Sequence, residues 1–198
     1  MTPDLPGLFT TFRNRRAPNG SLARDNFAKW FGASKAMELD GTPFQVHHGT
    51  DQKFSTFSKN MLGSASGSSD SKQGFWFSSD YARAQDAAGD AKMTNGTCES
   101  WVMSVFLRIE NPFFVQEPIR SFDPSESAKL IRRAKFDGHD GVIFVEGEGH
   151  GSDFVVFEPS QIKSATDNSG AFNPDSDSIT DTDRIIDSKN IPRNRMRP

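Results

Sequence analysis

The chain has 198 residues, a formal net charge of −3 and 34% hydrophobic residues. That length fits one domain, and the low hydrophobic content leaves part of the chain outside any core. The charge balance gives no bulk attraction to nucleic acid, no apolar run is long enough to cross a membrane, and the single cysteine, Cys98, excludes an internal disulfide.

The first part of the sequence predicts an arm, a helix and a strand before a long loop. Residues 1–24 mix proline, glycine and a basic cluster, and we expect them to form a flexible arm. Across 25–36 large apolar residues recur at helical spacing, which predicts a helix with Asp25 as its N-cap. A turn then leads into a strand over 44–48, and the Gly/Ser-rich stretch 58–73 is long enough to form a mobile lid.

The middle of the sequence predicts two strands around a helix. Residues 74–77 form a compact run of glycine and aromatic residues that is typical of a strand. The helix that follows is expected to be capped by Ser78 or Ser79 and stopped by Gly89. The largely apolar stretch 99–109 is the best strand candidate in the chain.

A helix start and a hairpin dominate the last ordered part. Asp123 is the predicted N-cap of a helix, since a proline follows it at the first helical position and Glu126 supplies an acid at the third. Apolar runs at 142–145 and 154–157, separated by a connection rich in glycine and acid, predict a β-hairpin with a mobile loop.

The order of these elements predicts an α+β fold with mixed sheets and helices on the outside, since strands and helices do not strictly alternate. We expect the folded domain to span 25–168. Residues 169–198 are rich in aspartate and serine and are expected to form a polar tail that is disordered or that docks on a partner.

Polar groups stand at three of the predicted strand ends. His48 precedes Gly49, where an imidazole could bond a ribose hydroxyl and the glycine would let a planar ligand approach the backbone. Trp76 lies in a Phe-rich strand, and Asp153 opens the last hairpin strand, from which a carboxylate can project into a cleft. Each residue alone also fits a structural role, as a surface histidine, a core tryptophan or a loop acid.

Metal binding and thiol catalysis are both disfavoured by the sequence. His47 and His48 are adjacent on a strand and face opposite sides, and no Cys/His pair has ligand spacing, so we expect no metal site. The loop that contains His150 lacks the following helix that a phosphate cradle needs. Cys98 has no base placed near it for thiol catalysis.

Taken together and in order, these places resemble the motifs of ADP-ribosyltransferases. The resemblance is closest to the branch found in polyvalent proteins of phages and mobile elements, and looser to the poly(ADP-ribose) polymerase and diphtheria-toxin type. The matching segments are 27–35, 40–43, 47–50, 53–57, 74–79, 140–143 and 153–164. The ordered set is specific, although each piece alone is not.

The resemblance implies a split pair of small sheets around a cleft for NAD, the co-substrate, with nicotinamide as leaving group. It implies that Asp153 takes the place of the family's catalytic glutamate and stabilises an oxocarbenium-like charge, and that His48 bonds a ribose hydroxyl. The cofactor-binding set that it implies consists of His48, Gly49, Thr50, Phe57, Trp76, Ser78 and Tyr81.

Two departures from the family pattern stand out. Asp153 is one methylene shorter than glutamate, and Ala87 occupies the place where a tyrosine often stacks on nicotinamide. A stacking surface could instead come from Tyr81, Phe54 or Phe57, and substitute acids could come from Glu146 and Glu148.

Three functions remain open from the sequence. The leading one is a mono-ADP-ribosyltransferase that modifies a macromolecular acceptor, which we expect to be a protein. We expect it to act in phage or effector conflict. The expected location is the cytoplasm, including that of a host cell after delivery. The second is an NAD glycohydrolase, in which water takes the ribosyl group. The third is a catalytically weak module that binds NAD, ADP-ribose or a partner. No membrane partner is expected, and the net charge does not indicate nucleic acid.

Overall fold

The structure, a computed structural model, describes residues 12, 14–117, 122–145 and 151–182. The seven strands within these ranges are β1 Val46–Thr50, β2 Phe75–Ser78, β3 Trp101–Leu107, β4 Pro112–Val115, β5 Gly141–Val145, β6 Ser152–Val156 and β7 Ile162–Ser164. The α-helices whose bounds lie within them are α1 Ala23–Phe31, α2 Tyr81–Asn95 and α3 Pro124–Phe136. The predicted α+β class is confirmed. Among the residues described, no helix is long and apolar enough to span a membrane.

The strands lie in one mixed sheet that is nearly divided in two. Their order is β4-β5-β6-β2-β1-β3-β7, with β4 and β5 parallel and the other neighbours antiparallel. Between β1 and β2 only His47 and Ser78 are in register, whereas β1 shares five registered pairs with β3. The predicted pair of small sheets therefore corresponds to two halves that meet at a single residue pair.

The predicted hairpin forms the centre of one half. β5 and β6 pair in register from Gly141 opposite Val156 to Val145 opposite Ser152. Most of their side chains are buried on both faces of the sheet, which explains why the two runs read as continuously apolar rather than alternating. Residues 146–150 of the connection, which include Glu146 and Glu148, lie outside the described part of the chain.

Helix α2 is longer than predicted and begins at a different cap. The side chain of Asp80, not of Ser78 or Ser79, accepts the hydrogen bond from the backbone of Ala82 at 2.9 Å. Gly89 does not stop the helix, because the buried face of Ala84, Ala88 and Ala91 continues across it at helical spacing. The helix ends instead at Gly96, which adopts the left-handed conformation with φ of 65°.

Of the N-caps predicted for the other two helices, one is wrong and one is confirmed. Asp25 is not the N-cap of α1, because the helix begins two residues earlier and Asp25 lies in its first turn. There its carboxylate still interacts favourably with the helix dipole. For α3 the prediction is confirmed, since Asp123 accepts from the backbone of Glu126 at 3.0 Å and Glu126 accepts from the backbone of Asp123 at 3.2 Å.

An aromatic cluster joins both ends of the described chain to the sheet. Phe27, Trp30 and Phe31 of α1 pack with Phe12, which precedes the helix, and with Phe172, which follows the last strand. All five side chains are buried. The described parts of the predicted arm and tail thus contribute to the core, and residues 183–198 lie outside the described part.

Candidate active site

A cavity of about 700 Å³ lies at the split between the two halves of the sheet. Its walls are formed by β1, β2, the start of β6, one side of α2 and the loop between β1 and β2. Of the predicted site residues, those that line it are His48, Gly49, Thr50, Phe57, Trp76, Ser78 and Asp153. Tyr81 is not among the lining residues; its side chain is half exposed and packs edge-on against His47.

His48 bridges the gap where β1 and β2 diverge. Its Nδ1 donates a 2.8 Å hydrogen bond to the backbone carbonyl of Trp76. This side-chain bond lies where the two strands no longer pair through their backbones. A carbonyl only accepts, so the neutral ring carries its proton on Nδ1 and presents Nε2 as an acceptor. Burial lowers the pKa of His48, and the Trp76 carbonyl opposes that shift in part, which favours this neutral form.

Aromatic side chains surround the ring of His48. The ring of His48 lies against the rings of Phe57 and Phe77, with centroids 5.0 and 5.5 Å away, and against Phe54 at 6.3 Å. Phe54 and Phe57 also line the cavity and pack edge-on against each other. They provide an aromatic wall on one side of the site, although Ala87 offers none on the other.

Asp153 lies on the opposite face of the sheet from His48. Ser78 is in register with His47 on one side and with Asp153 on the other, so these three side chains point to the same face and His48 to the other. Residues from both faces line the cavity, which lies where the two strands share a single registered pair. Asp153 is buried and forms an ion pair with Arg83 of α2.

Gly49 lies under helix α2. A Cβ at this position would collide with the backbone of Ala84 and Ala88 and would lie 3.0 Å from the side chain of Ala87. The sequence motif therefore has a packing reason as well as the predicted ligand role, because only glycine allows the helix to approach β1 this closely. That approach in turn brings the first turn of α2 to the face of the sheet that carries Asp153.

Trp76 connects the sheet to the loop that was predicted as a lid. Its ring stacks on Phe144 with centroids 5.8 Å apart, and its Nε1 donates to the backbone carbonyl of Asp70 at 3.3 Å. The hydroxyl of Ser69 in the same loop donates to the carbonyl of Pro124 at 2.7 Å. The loop is thus tied to the sheet and to the start of α3, and it forms one wall of the cavity.

Comparison with protein families gives this arrangement a context. A family model described as ADP-ribosyltransferase in polyvalent proteins matches residues 38–172, which is more than half of the chain. The chain belongs to this ADP-ribosyltransferase family. The matched region contains all seven strands and the whole cavity lining. Searches of curated proteins and of solved structures gave no match.

The residue of this ADP-ribosyltransferase that sequence reasoning missed is Arg83. Recognition of Asp80 as the N-cap would have placed Arg83 in the first turn of α2, next to the buried Ala84 and therefore near the sheet. The expected cap at Ser78 or Ser79 shifted the helix start and hid this position.

Proposed function

We propose that this chain is an NAD-dependent mono-ADP-ribosyltransferase that transfers ADP-ribose to a macromolecular acceptor, which we take to be a protein, and releases nicotinamide. The observation that supports this proposal most strongly is that His48, Trp76 and Asp153, which are far apart in sequence, line one cavity of about 700 Å³. That volume is in the range of pockets that enclose small-molecule ligands. Membership of the ADP-ribosyltransferase family supplies the reaction class.

The reaction breaks the bond between C1′ of the nicotinamide ribose and the ring nitrogen of nicotinamide. The bonding electrons leave with nicotinamide, and positive charge develops on C1′ and the ribose ring oxygen. A nucleophilic oxygen or nitrogen of the acceptor forms the new bond to C1′ and loses its proton. The barrier falls where fixed negative charge lies next to the developing cation.

Asp153 is suited to that role because its backbone is fixed between β2 and β5 in a central position of the sheet. Its carboxylate would accept a hydrogen bond from the 2′-hydroxyl of the nicotinamide ribose and stabilise the cation. His48 would accept from a second ribose hydroxyl through Nε2, since its Nδ1 is already held by the carbonyl of Trp76. The shorter aspartate requires the ribose to lie closer to β6 than a glutamate would.

The biological setting is also part of the proposal. The description of the family as occurring in polyvalent proteins favours a role in conflict between mobile elements and their hosts. In that setting the acceptor would be a host protein, and the enzyme would act in the cytoplasm of the host cell.

The proposal is tested by incubation of the protein with labelled NAD and a host lysate, followed by measurement of nicotinamide release and of label on protein. We expect both with the wild type and a loss of about 100-fold or more in Asp153→Asn, which preserves shape but removes the charge. A matched control is Asp86→Asn, an exposed position on the same helix that carries Arg83. It should behave like the wild type.

The same experiment distinguishes the alternatives. Nicotinamide release without labelled protein would identify a glycohydrolase. Binding of NAD without release would identify a binding module. Labelling that persists at full strength in Asp153→Asn would show that Asp153 is not the catalytic acid.

A further inference from the structure

Arg83 lines the cavity as well as forming an ion pair with Asp153. It is the one lysine or arginine among the described residues that line the cavity, whereas four carboxylates line the same walls. These acids are Asp51, Asp70, Asp90 and Asp153. A ligand that carries a diphosphate into this cavity would therefore meet mostly negative side chains unless Arg83 contacts it.

The two partners of the ion pair differ in their freedom to move. Asp153 is held on a central strand and its side chain is 5% exposed, whereas the side chain of Arg83 is 33% exposed at the cavity wall. Arginine reaches its guanidinium through a long flexible stem. Arg83 can therefore change partner without a change in the backbone, and Asp153 cannot.

The ion pair also opposes the chemistry expected of Asp153. A carboxylate stabilises a developing cation through its negative field, and an adjacent guanidinium cancels much of that field. The pair is therefore a weakly catalytic arrangement. A diphosphate that draws the guanidinium away would restore the field of the carboxylate at the moment when the substrate is present.

The chemistry of NAD places both groups within reach of one side chain. The 2′-hydroxyl that Asp153 would contact and the diphosphate belong to the same nicotinamide nucleotide, on opposite sides of one ribose. Phosphate oxygens accept charge-assisted, bidentate hydrogen bonds from arginine. If the guanidinium of Arg83 moves from one side of this ribose to the other, its anionic partner changes from the carboxylate of Asp153 to the diphosphate.

We propose that Arg83 is a diphosphate-binding residue that leaves Asp153 for the diphosphate when NAD binds, so that substrate binding itself exposes the catalytic carboxylate. This inference rests on the proposed function.

The test compares two substrates that contain the same scissile bond. Initial rates of nicotinamide release are measured in the presence of the host lysate, which supplies the acceptor, with NAD and with nicotinamide riboside, which lacks the diphosphate. In Arg83→Gln we expect kcat/KM for NAD to fall about tenfold or more, as for loss of a charge-assisted hydrogen bond, while kcat/KM for nicotinamide riboside stays the same or rises. Arg83→Lys keeps the charge but not the planar fork and should show an intermediate loss for NAD.

A binding measurement provides the second readout. Calorimetric titration with ADP-ribose, which is not turned over, should show an affinity about tenfold weaker in Arg83→Gln than in the wild type. Arg132→Gln, an exposed arginine on α3, is the matched control and should change neither readout.

An equal loss on both substrates would overturn the inference, because Arg83 would then only position Asp153. An unchanged affinity for ADP-ribose would overturn it as well. Failure of the wild type to release nicotinamide from NAD would instead overturn the proposed function. In that case the ADP-ribose titration still decides whether Arg83 binds a diphosphate.

Discussion

Two aspartates with buried carboxylates are paired with basic side chains, and their surroundings differ. Asp181 pairs with Lys163 of β7 at 2.8 Å, and both side chains are almost completely enclosed. The ammonium of Lys163 also donates to the backbone carbonyls of Ser176 and Ser178, at 3.0 and 2.7 Å. All three of its donors are thus satisfied by the segment that follows the last strand, which holds that segment on the sheet.

The pair between Asp153 and Arg83 is buried only on the side of the acid. Its cation lies at the wall of a cavity, where water or a ligand can reach it. An enclosed pair with every hydrogen bond satisfied has no alternative partner and serves the fold, whereas a pair with one accessible member can be exchanged. The difference in surroundings, rather than the pairing itself, separates a structural ion pair from one that can take part in function.

The largest effect is expected when the enclosed pair is broken. Lys163→Met removes the ammonium and leaves the carboxylate of Asp181 buried without an opposite charge, which should cost about 3–5 kcal/mol in the free energy of unfolding. Burial already lowers the pKa of Lys163, and the hydrogen bond and charge of Asp181 oppose that shift, so the charged lysine depends on its partner. Urea denaturation measures the loss.

A surface pair of the same chemical type provides the control. Lys59 and Glu158 approach to 2.6 Å, but their side chains are 53% and 57% exposed. Lys59→Met should therefore change the free energy of unfolding by about 0–1 kcal/mol. A similar loss in the two methionine variants would mean that enclosure does not distinguish the pairs.

Breaking the pair at the cavity should have a smaller effect on stability. In Arg83→Gln, water from the cavity can solvate the carboxylate of Asp153, so we expect a loss of about 1–2 kcal/mol in the free energy of unfolding. The measurement is again urea denaturation. A loss as large as that of Lys163→Met would show that Arg83 is mainly structural and would contradict the comparison.

The sequence predicted the three elements of the site better than it predicted their contacts. His48, Trp76 and Asp153 could be singled out because each falls in or next to a predicted strand in the order of a family motif. The structure places His48 in the middle of β1 rather than at its end, because β1 begins and ends two residues later than predicted. The ion pair of Asp153 was not predicted, because it depends on where α2 begins and on the approach that Gly49 permits. These are properties of packing between elements that are distant in the chain.

The ends of the domain show the same limit. The stretch 169–182 is polar enough to predict a tail, yet Phe172 enters the aromatic cluster and Ile179 is buried in the main core. These two apolar side chains, the hydrogen bonds from Lys163 and the one between Asn168 and Asp181 hold this segment on the sheet. Their spacing gives no periodic pattern, so composition alone pointed to a segment without a core.

The smallest effect concerns His48, a partly buried histidine whose ring is bonded to a carbonyl rather than paired with a charge. His48 responds to burial by a lowered pKa, with the Trp76 carbonyl opposing the shift, rather than by pairing with an acid. In the unfolded chain the pKa returns to about 6.5. As the pH falls through 6.5, the unfolded chain therefore binds a proton that the folded protein does not, and stability is lost. His47 adds to this trend, because burial lowers its pKa as well. The negative charge of Asp80 opposes only part of that shift.

The prediction is that the free energy of unfolding of the wild type falls between about pH 7 and pH 5.5, near the ordinary pKa of histidine. It should fall less in His48→Asn, whose amide can still donate to the carbonyl of Trp76 but does not titrate. The pKa values of Asp40 and Asp123 are lowered by hydrogen bonds from Thr42 and Ser125, so these carboxylates stay ionised throughout the range and do not contribute.

If His48→Asn loses stability as steeply as the wild type, the imidazole is not held neutral at the split of the sheet. Its Nε2 would then not be the acceptor that the proposed ribose contact requires.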